Sequence, residues 1–185
     1  MKKIAGVFAI LVFFATNVTA QIQLTRNGKV TFFSLAPLEN IEAVNNEVTS
    51  ILDVKKGEFA FVVLIKSFKF KKALMEEHFN ENYMESNTFP KASFKGSITD
   101  MSKLDFTKDG TYPVTVAGDL TIHGITKKVE APGTLTITGD IINATSKFSA
   151  KVKDYNIKIP SVVENKIAET VDVSVDCKYE PSKKS

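Results

Sequence analysis

Residues 171–179 alternate without a break: Val171, Val173, Val175, Cys177 and Tyr179 share one parity, and Asp172, Ser174, Asp176 and Lys178 the other. Successive side chains of an extended strand point to opposite faces, so the pattern reads as a strand with one buried face and one wet face. Residues 142–152 repeat it, with Ile142, Ala144, Phe148, Ala150 and Val152 set against Asn143, Thr145, Lys147, Ser149 and Lys151. Tyr112, Val114 and Val116 form a third run that passes Gly118 to Leu120 and Ile122. Ala92, Phe94 and Ile98 form a fourth, with Gly96 as a bend or a close approach. One-sided strands of this kind belong to antiparallel sheets.

Residues 59–70 differ, being apolar on both parities apart from Lys66, Ser67 and Lys69. This predicts a strand covered on its outer face by a helical insert. The insert falls at 71–82, where Leu74, Met75, His78 and Phe79 recur at helical spacing. A second short helix is predicted at 161–169, and strands at 28–36 and 39–48 complete the set. Turn signals stand at Asn27-Gly28, Lys56-Gly57, Asp109-Gly110, Pro132-Gly133 and Gly139-Asp140. About eight antiparallel strands in one domain suggest a closed barrel, since closure removes exposed edges. Alternation does not distinguish a filled barrel, a sandwich and a hollow barrel.

The chain opens with Lys2 and Lys3, an apolar run from Ile4 to Ala15, and Val18-Thr19-Ala20 before Gln21. That is the pattern of a secretory signal cut near Ala20, too short in its apolar part to span a bilayer. We expect a mature domain of residues 21–185, exported to the periplasm or beyond and not membrane-spanning. Loss of Lys2 and Lys3 lowers the formal charge from +3 to +1, which gives no electrostatic reason to seek nucleic acid. Cys177 is the only cysteine, so no internal disulfide supports the fold.

Few residues offer catalysis. Cys177 sits in the apolar register of a strand and reads as a small buried hydrophobe. No nucleophile elbow, phosphate-cradling loop or paired-carboxylate signature is present. The donors of residues 76–81 read as a solvated acidic helix face, and the chain lacks the Cys and His set of a structural zinc site. We therefore expect no enzyme, no metal and no cofactor. The uneven choice is aromatic: fourteen Phe and no Trp. Phe32, Phe61, Phe68, Phe70, Phe94 and Phe148 fall on several strands and would converge inside a barrel.

The stretch 120–129, L-T-I-H-G-I-T-K-K-V, bends at His123-Gly124 between two extended runs. It resembles the signature of the YceI-like family of small periplasmic lipid-binding proteins. Residues 88–96, T-F-P-K-A-S-F-K-G, resemble the family's Tyr-Pro-x-x-x-Phe segment, with Phe89 in the aromatic place. Residues 154–157, D-Y-N-I, are similar to its Asp-Phe-Gly-Ile/Leu segment. The resemblance covers most of the chain after the first twenty or so residues. It implies an all-β, eight-stranded antiparallel lipocalin-like barrel with a short helical insert and an elongated apolar tunnel. The tunnel would be lined by those six phenylalanines with Val114, Val116, Leu120, Ile122, Val173 and Val175. His123, Lys127, Asp154 and Tyr155 would stand at its mouth toward a headgroup, although His123 can equally satisfy the turn's own backbone.

The chain departs from the family pattern. Val152 stands where an Arg is usual, Asn156 where Gly is usual and Lys128 where Pro is frequent, and the first strand lacks a histidine-bearing start. The headgroup, if one is held, is then held differently, with Lys151, Lys153 and Lys158 as substitutes. The resemblance implies non-catalytic binding or transport of an isoprenoid lipid, a polyprenyl carrier lipid or a quinone. Met75, Tyr83 and Met84 would rim the tunnel. The alternatives are a filled barrel that docks on another envelope protein near 71–84, and a lipid-modifying enzyme using His123 with Asp154. A homodimer is compatible with a small exported barrel, but no residue pattern demonstrates one.

Overall fold

The alternating runs are strands, and their apolar parity faces the interior of a barrel. The computed structural model describes residues 21–35, 40–159 and 168–182. Among them the strands are β1 (Ile22–Leu35), β2 (Asn40–Asp53), β3 (Glu58–Leu64), β4 (Lys69–Phe70), β5 (Lys91–Ile98), β6 (Gly110–Ile122), β7 (Ile125–Thr138), β8 (Ile141–Lys151) and β9 (Thr170–Pro181). Every pairing is antiparallel, in the order β1-β9-β8-β7-β6-β5-β3-β2, and β1 also pairs with β2. That last pairing closes an eight-stranded barrel, with the two residues of β4 added beside β2 at Ala43 and Val44. Gly96 and Gly118 face each other in the β5–β6 ladder. A Cβ on Gly96 would meet the Ala117 carbonyl and the tip of the Phe94 ring, so the close approach requires glycine.

The helical insert is present as α1 (Ala73–His78), continued by a π-helical turn at Phe79–Tyr83. It does not cover β3. Residues 59–70 are not one strand: β3 ends at Leu64, and a 3-10 turn at Ile65–Ser67 leads into β4. On β3's outer face Val62 and Leu64 remain 40% and 43% exposed. The insert instead crosses the barrel end, where Phe79 packs on Phe32, Phe68 and Phe70 with ring centroids 5.4, 5.7 and 5.0 Å away. The second apolar parity of the strand, Ala60, Val62 and Leu64, stays on the exposed face, and Ile65 and Phe68 are buried after the strand has ended. Where β2 leaves β3, Asn45 bridges the gap, donating from Nδ2 to the Leu64 carbonyl at 2.9 Å.

Two turn signals are not turns. Asn27-Gly28 is a register shift within β1, and Pro132-Gly133 lies inside β7. In both places long-range pairing on neighbouring strands overrides a local breaker signal. Lys56-Gly57 and Gly139-Asp140 do reverse the chain, with Gly57 and Gly139 at positive φ. Of the helix expected at 161–169, residues 161–167 lie outside the described residues, and Ala168 and Glu169 are not helical. The outer bounds expected at Ala36 and Glu39 also lie outside them.

The barrel is closed at the end that carries the β2–β3 and β7–β8 turns. Leu52, Phe59, Leu135, Ile137, Ile142 and Tyr179 fill it, and Met101, Leu104 and Phe106 from the β5–β6 connection pack against them. Ser50 Oγ and Tyr179 Oη, both fully buried, are 2.6 Å apart and satisfy each other there. The opposite end carries the insert, the β6–β7 turn and the 3-10 turn Val152–Tyr155.

Candidate ligand cavity

Between the insert and the packed end lies a cavity of about 560 Å³. Phe32, Phe61, Phe68, Phe70, Phe94, Val116, Leu120, Ile122, Phe148, Val173 and Val175 all line it. Those on strands converge because each sits on an inward parity, and Phe68 joins them from the link between the 3-10 turn and β4. Val114 is not among them. It has the same parity as Val116 but opposes Gly133, closer to the packed end, and joins that core. The insert adds Met75, Phe79, Tyr83 and Met84 to the lining, and Ile41, Ala92, Ala131, Ala150 and Val171 are among the other apolar residues of the wall. Ala92, Ala131 and Ala150 are informative small residues, because an alanine on the inward parity leaves room that a larger side chain would take.

The mouth residues expected from sequence divide. Tyr155 lines the cavity and is buried, whereas Asp154 and Lys127 are exposed and not part of the lining. His123 is buried and turned away from the cavity. Its Nδ1 lies 3.2 Å from the Tyr155 carbonyl oxygen and its Nε2 2.8 Å from the Glu85 carboxylate, and both partners are acceptors for a ring N–H. The Phe89 ring tilts over the imidazole with centroids 4.4 Å apart. His123 and Gly124 take φ of 49° and 73°, as a two-residue hairpin of type I′ demands, and a Cβ on Gly124 would strike Phe89. The pairing of His123 with Asp154 is not made: Nε2 meets Glu85 instead.

The three sequence segments singled out above therefore meet at one place. Phe89, His123 and Tyr155 form a clasp that ties the segment after the insert to the β6–β7 turn and the Val152–Tyr155 turn. The polar groups that do face the cavity are Ser34, Lys72, His78, Ser146, Lys151 and Tyr155. Ser146 takes an inward position in the middle of β8, and the others lie at strand ends, in a turn or on and beside the insert, where periodicity gives no signal. Glu76 of α1 is engaged locally, accepting from Lys69 Nζ at 2.8 Å, and this bond holds its carboxyl below the usual range. Cys177 is fully buried, and burial pushes its thiol up to about 12.

The YceI-like domain family model matches residues 13–179. The chain belongs to the YceI-like domain family. Several solved structures share the barrel. A polyisoprenoid binding domain from Saccharophagus degradans, implicated in plant cell wall breakdown, is 15% identical with a TM-score of 0.76, over 88% of this chain and 99% of that one. BcnA of Burkholderia cenocepacia is 18% identical with a TM-score of 0.69, over 82% and 95%. The YCEI protein of Campylobacter jejuni is 12% identical with a TM-score of 0.55, over 99% and 100%. At these identities the likeness is one of fold. No curated protein matches this chain. The structure also accounts for one departure from the YceI-like pattern: Asn156 takes φ 55° after the Val152–Tyr155 turn, a left-handed conformation that Asn tolerates in place of Gly. Among the described residues no helix is long and apolar enough to cross a membrane.

Proposed function

We propose that this YceI-like barrel is a non-catalytic binder and carrier of an isoprenoid lipid, acting in the periplasm after removal of residues 1–20. The observation that carries the reading is the cavity, apolar in its walls, closed at one end and lined by aromatic rings from several strands. Its volume falls in the range of roughly 300–1,000 Å³ typical of small-molecule sites. A dry cavity of about 150 Å³ holds one benzene, so about 560 Å³ holds an apolar chain of roughly twenty carbons, or four isoprene units. At about 0.8 kcal/mol per buried carbon that chain contributes roughly 16 kcal/mol gross. Ordering and association costs of about 4–15 kcal/mol leave binding favourable without a charged anchor. A structural neighbour named as a polyisoprenoid binding domain supports the same ligand class.

Lys72, His78 and Lys151, which line the cavity, are the groups placed to meet a polar head. The competing reading of a filled barrel that only docks on proteins needs a packed interior, and the half of the barrel under the insert is not packed. Native mass spectrometry of protein purified from its own host tests the proposal. The expected result is an apolar ligand at one per chain, or its uptake when prenols are added. Neither a co-purified lipid nor uptake would overturn it.

A further inference from the structure

Among the described residues, β7 and β8 part at one end and leave a seam in the barrel wall. The β7–β8 ladder starts at Thr138 opposite Ile141 and stops at Gly133 opposite Ser146, although both strands continue. β7 stays paired to β6 as far as Ile125, and β8 to β9 as far as Lys151. The two strands have therefore parted from each other without fraying from their other neighbours. Pro132, at the point of parting, has no N–H for a ladder, and Ser146 Oγ donates to its carbonyl at 2.8 Å. Above that point Tyr155 packs among Ile125, Val129 and Ala150, a wedge between the diverging strands.

The seam opens onto the cavity. Val129 and Ala131 on one side and Phe148 and Ala150 on the other all line it. Outside, at the foot of the seam, lies a second hollow walled by Pro132, Thr145 and Lys147 among others, and it shares Ser146 and Val175 with the cavity. Beyond Gly133–Ser146 no ladder pairing joins the two strands, and the side-chain bond from Ser146 Oγ to the Pro132 carbonyl is the one described contact that an opening at its foot would break.

We infer that the β7–β8 seam is a lateral exit for the part of a long apolar chain that the cavity cannot hold. This rests on the lipid-binding reading above and adds a route and a length dependence to it. A chain of roughly twenty carbons fits inside. A longer one cannot pass the packed end, where Leu52, Leu135, Ile137 and Tyr179 are buried, so its remainder runs out between Ala131 and Phe148. The aliphatic stem of exposed Lys147 is placed to cover it, with the ammonium in water.

The test bolts the seam. Continuing the register beyond Gly133–Ser146 sets Glu130 opposite Ser149, both exposed and neither in the cavity lining. The variant Glu130→Cys/Ser149→Cys is compared with its own cross-linked form, made with a short bis-maleimide or as a disulfide, so folding is common to both; buried Cys177 is left in place. The probes are a prenol of about twenty carbons and one of about fifty, roughly two and a half times the capacity of the cavity. Cross-linking is expected to leave the short prenol's affinity within about twofold and to weaken the long one at least about tenfold, restored by reduction of the disulfide. Unchanged long-chain affinity would overturn the exit, and so would equal weakening of both chains. Neither prenol binding even the open form would overturn the lipid reading itself. Hydrogen exchange on the unmodified protein gives a second measurement: residues 127–131 and 147–150 should gain protection with the long prenol only, and identical protection with both counts against the exit.

Discussion

His123 reaches across 32 positions of sequence to hold the backbone of Tyr155, its ring Nδ1 3.2 Å from the carbonyl oxygen. The bond is buried and fixes the turn that carries Tyr155 into the cavity wall. Replacing His123 by Ala leaves that carbonyl without a partner, which costs about 1–3 kcal/mol. A lower denaturant midpoint with an unchanged slope is the expected outcome. Glu85→Ala should cost less than about 1 kcal/mol, because the Glu85 side chain is 55% exposed and solvent screens the pair. Equal losses from the two variants would contradict a structural clasp centred on the Tyr155 bond.

Ala92 lies on β5 opposite Val63 and lines the cavity. Ala92→Phe should fill part of the void, leave the melting temperature unchanged or higher, and weaken prenol binding at least about tenfold. Losing contact with two carbons already forfeits about 1.6 kcal/mol. Titration with a fluorescent prenyl probe, read beside thermal unfolding, checks both halves.

At the packed end the Ser50–Tyr179 bond stands apart from the cavity. Tyr179→Phe strands a buried hydroxyl on Ser50 and should cost about 1–3 kcal/mol, with part recovered by adding Ser50→Ala. Lipid affinity should not change. A double-mutant cycle in urea supplies the stability measurement.

Cys177 gives a pH-dependent outcome. Its thiol is raised from 9.0 to about 12, chiefly by burial and then by Asp176. The folded chain therefore favours the neutral thiol, and its stabilisation is complete below pH 9 and lost as pH rises from 9 toward 12. Native protein at pH 8 should resist iodoacetamide and label fully in denaturant. Rapid stoichiometric labelling of the folded chain would contradict this burial.

Much of the fold is legible locally. Parity on a strand is a property of neighbouring residues, so Phe32, Phe94, Phe148 and Val173 could be placed on inward faces from sequence. Height along the barrel is not local: Val114 and Val116 share parity, but only the pairing of Val114 with Gly133 puts Val114 in the packed end. Turn side chains are harder still. His123, Lys127 and Asp154 are polar residues near strand ends, and where each points depends on partners such as Glu85 and Phe89 far away in sequence.

The amino-acid sequence by itself determined the alternation, the short insert, the His123-Gly124 turn and the family, because each depends on side-chain order over a few residues or on a motif. Tertiary structure alone decided that β3 stops at Leu64, that the insert spans the barrel end, that His123 is a clasp and that β7 parts from β8. It also decided that space remains inside. A void is the difference between what many distant side chains fill and what the closed sheet encloses, and no stretch of chain carries that difference on its own.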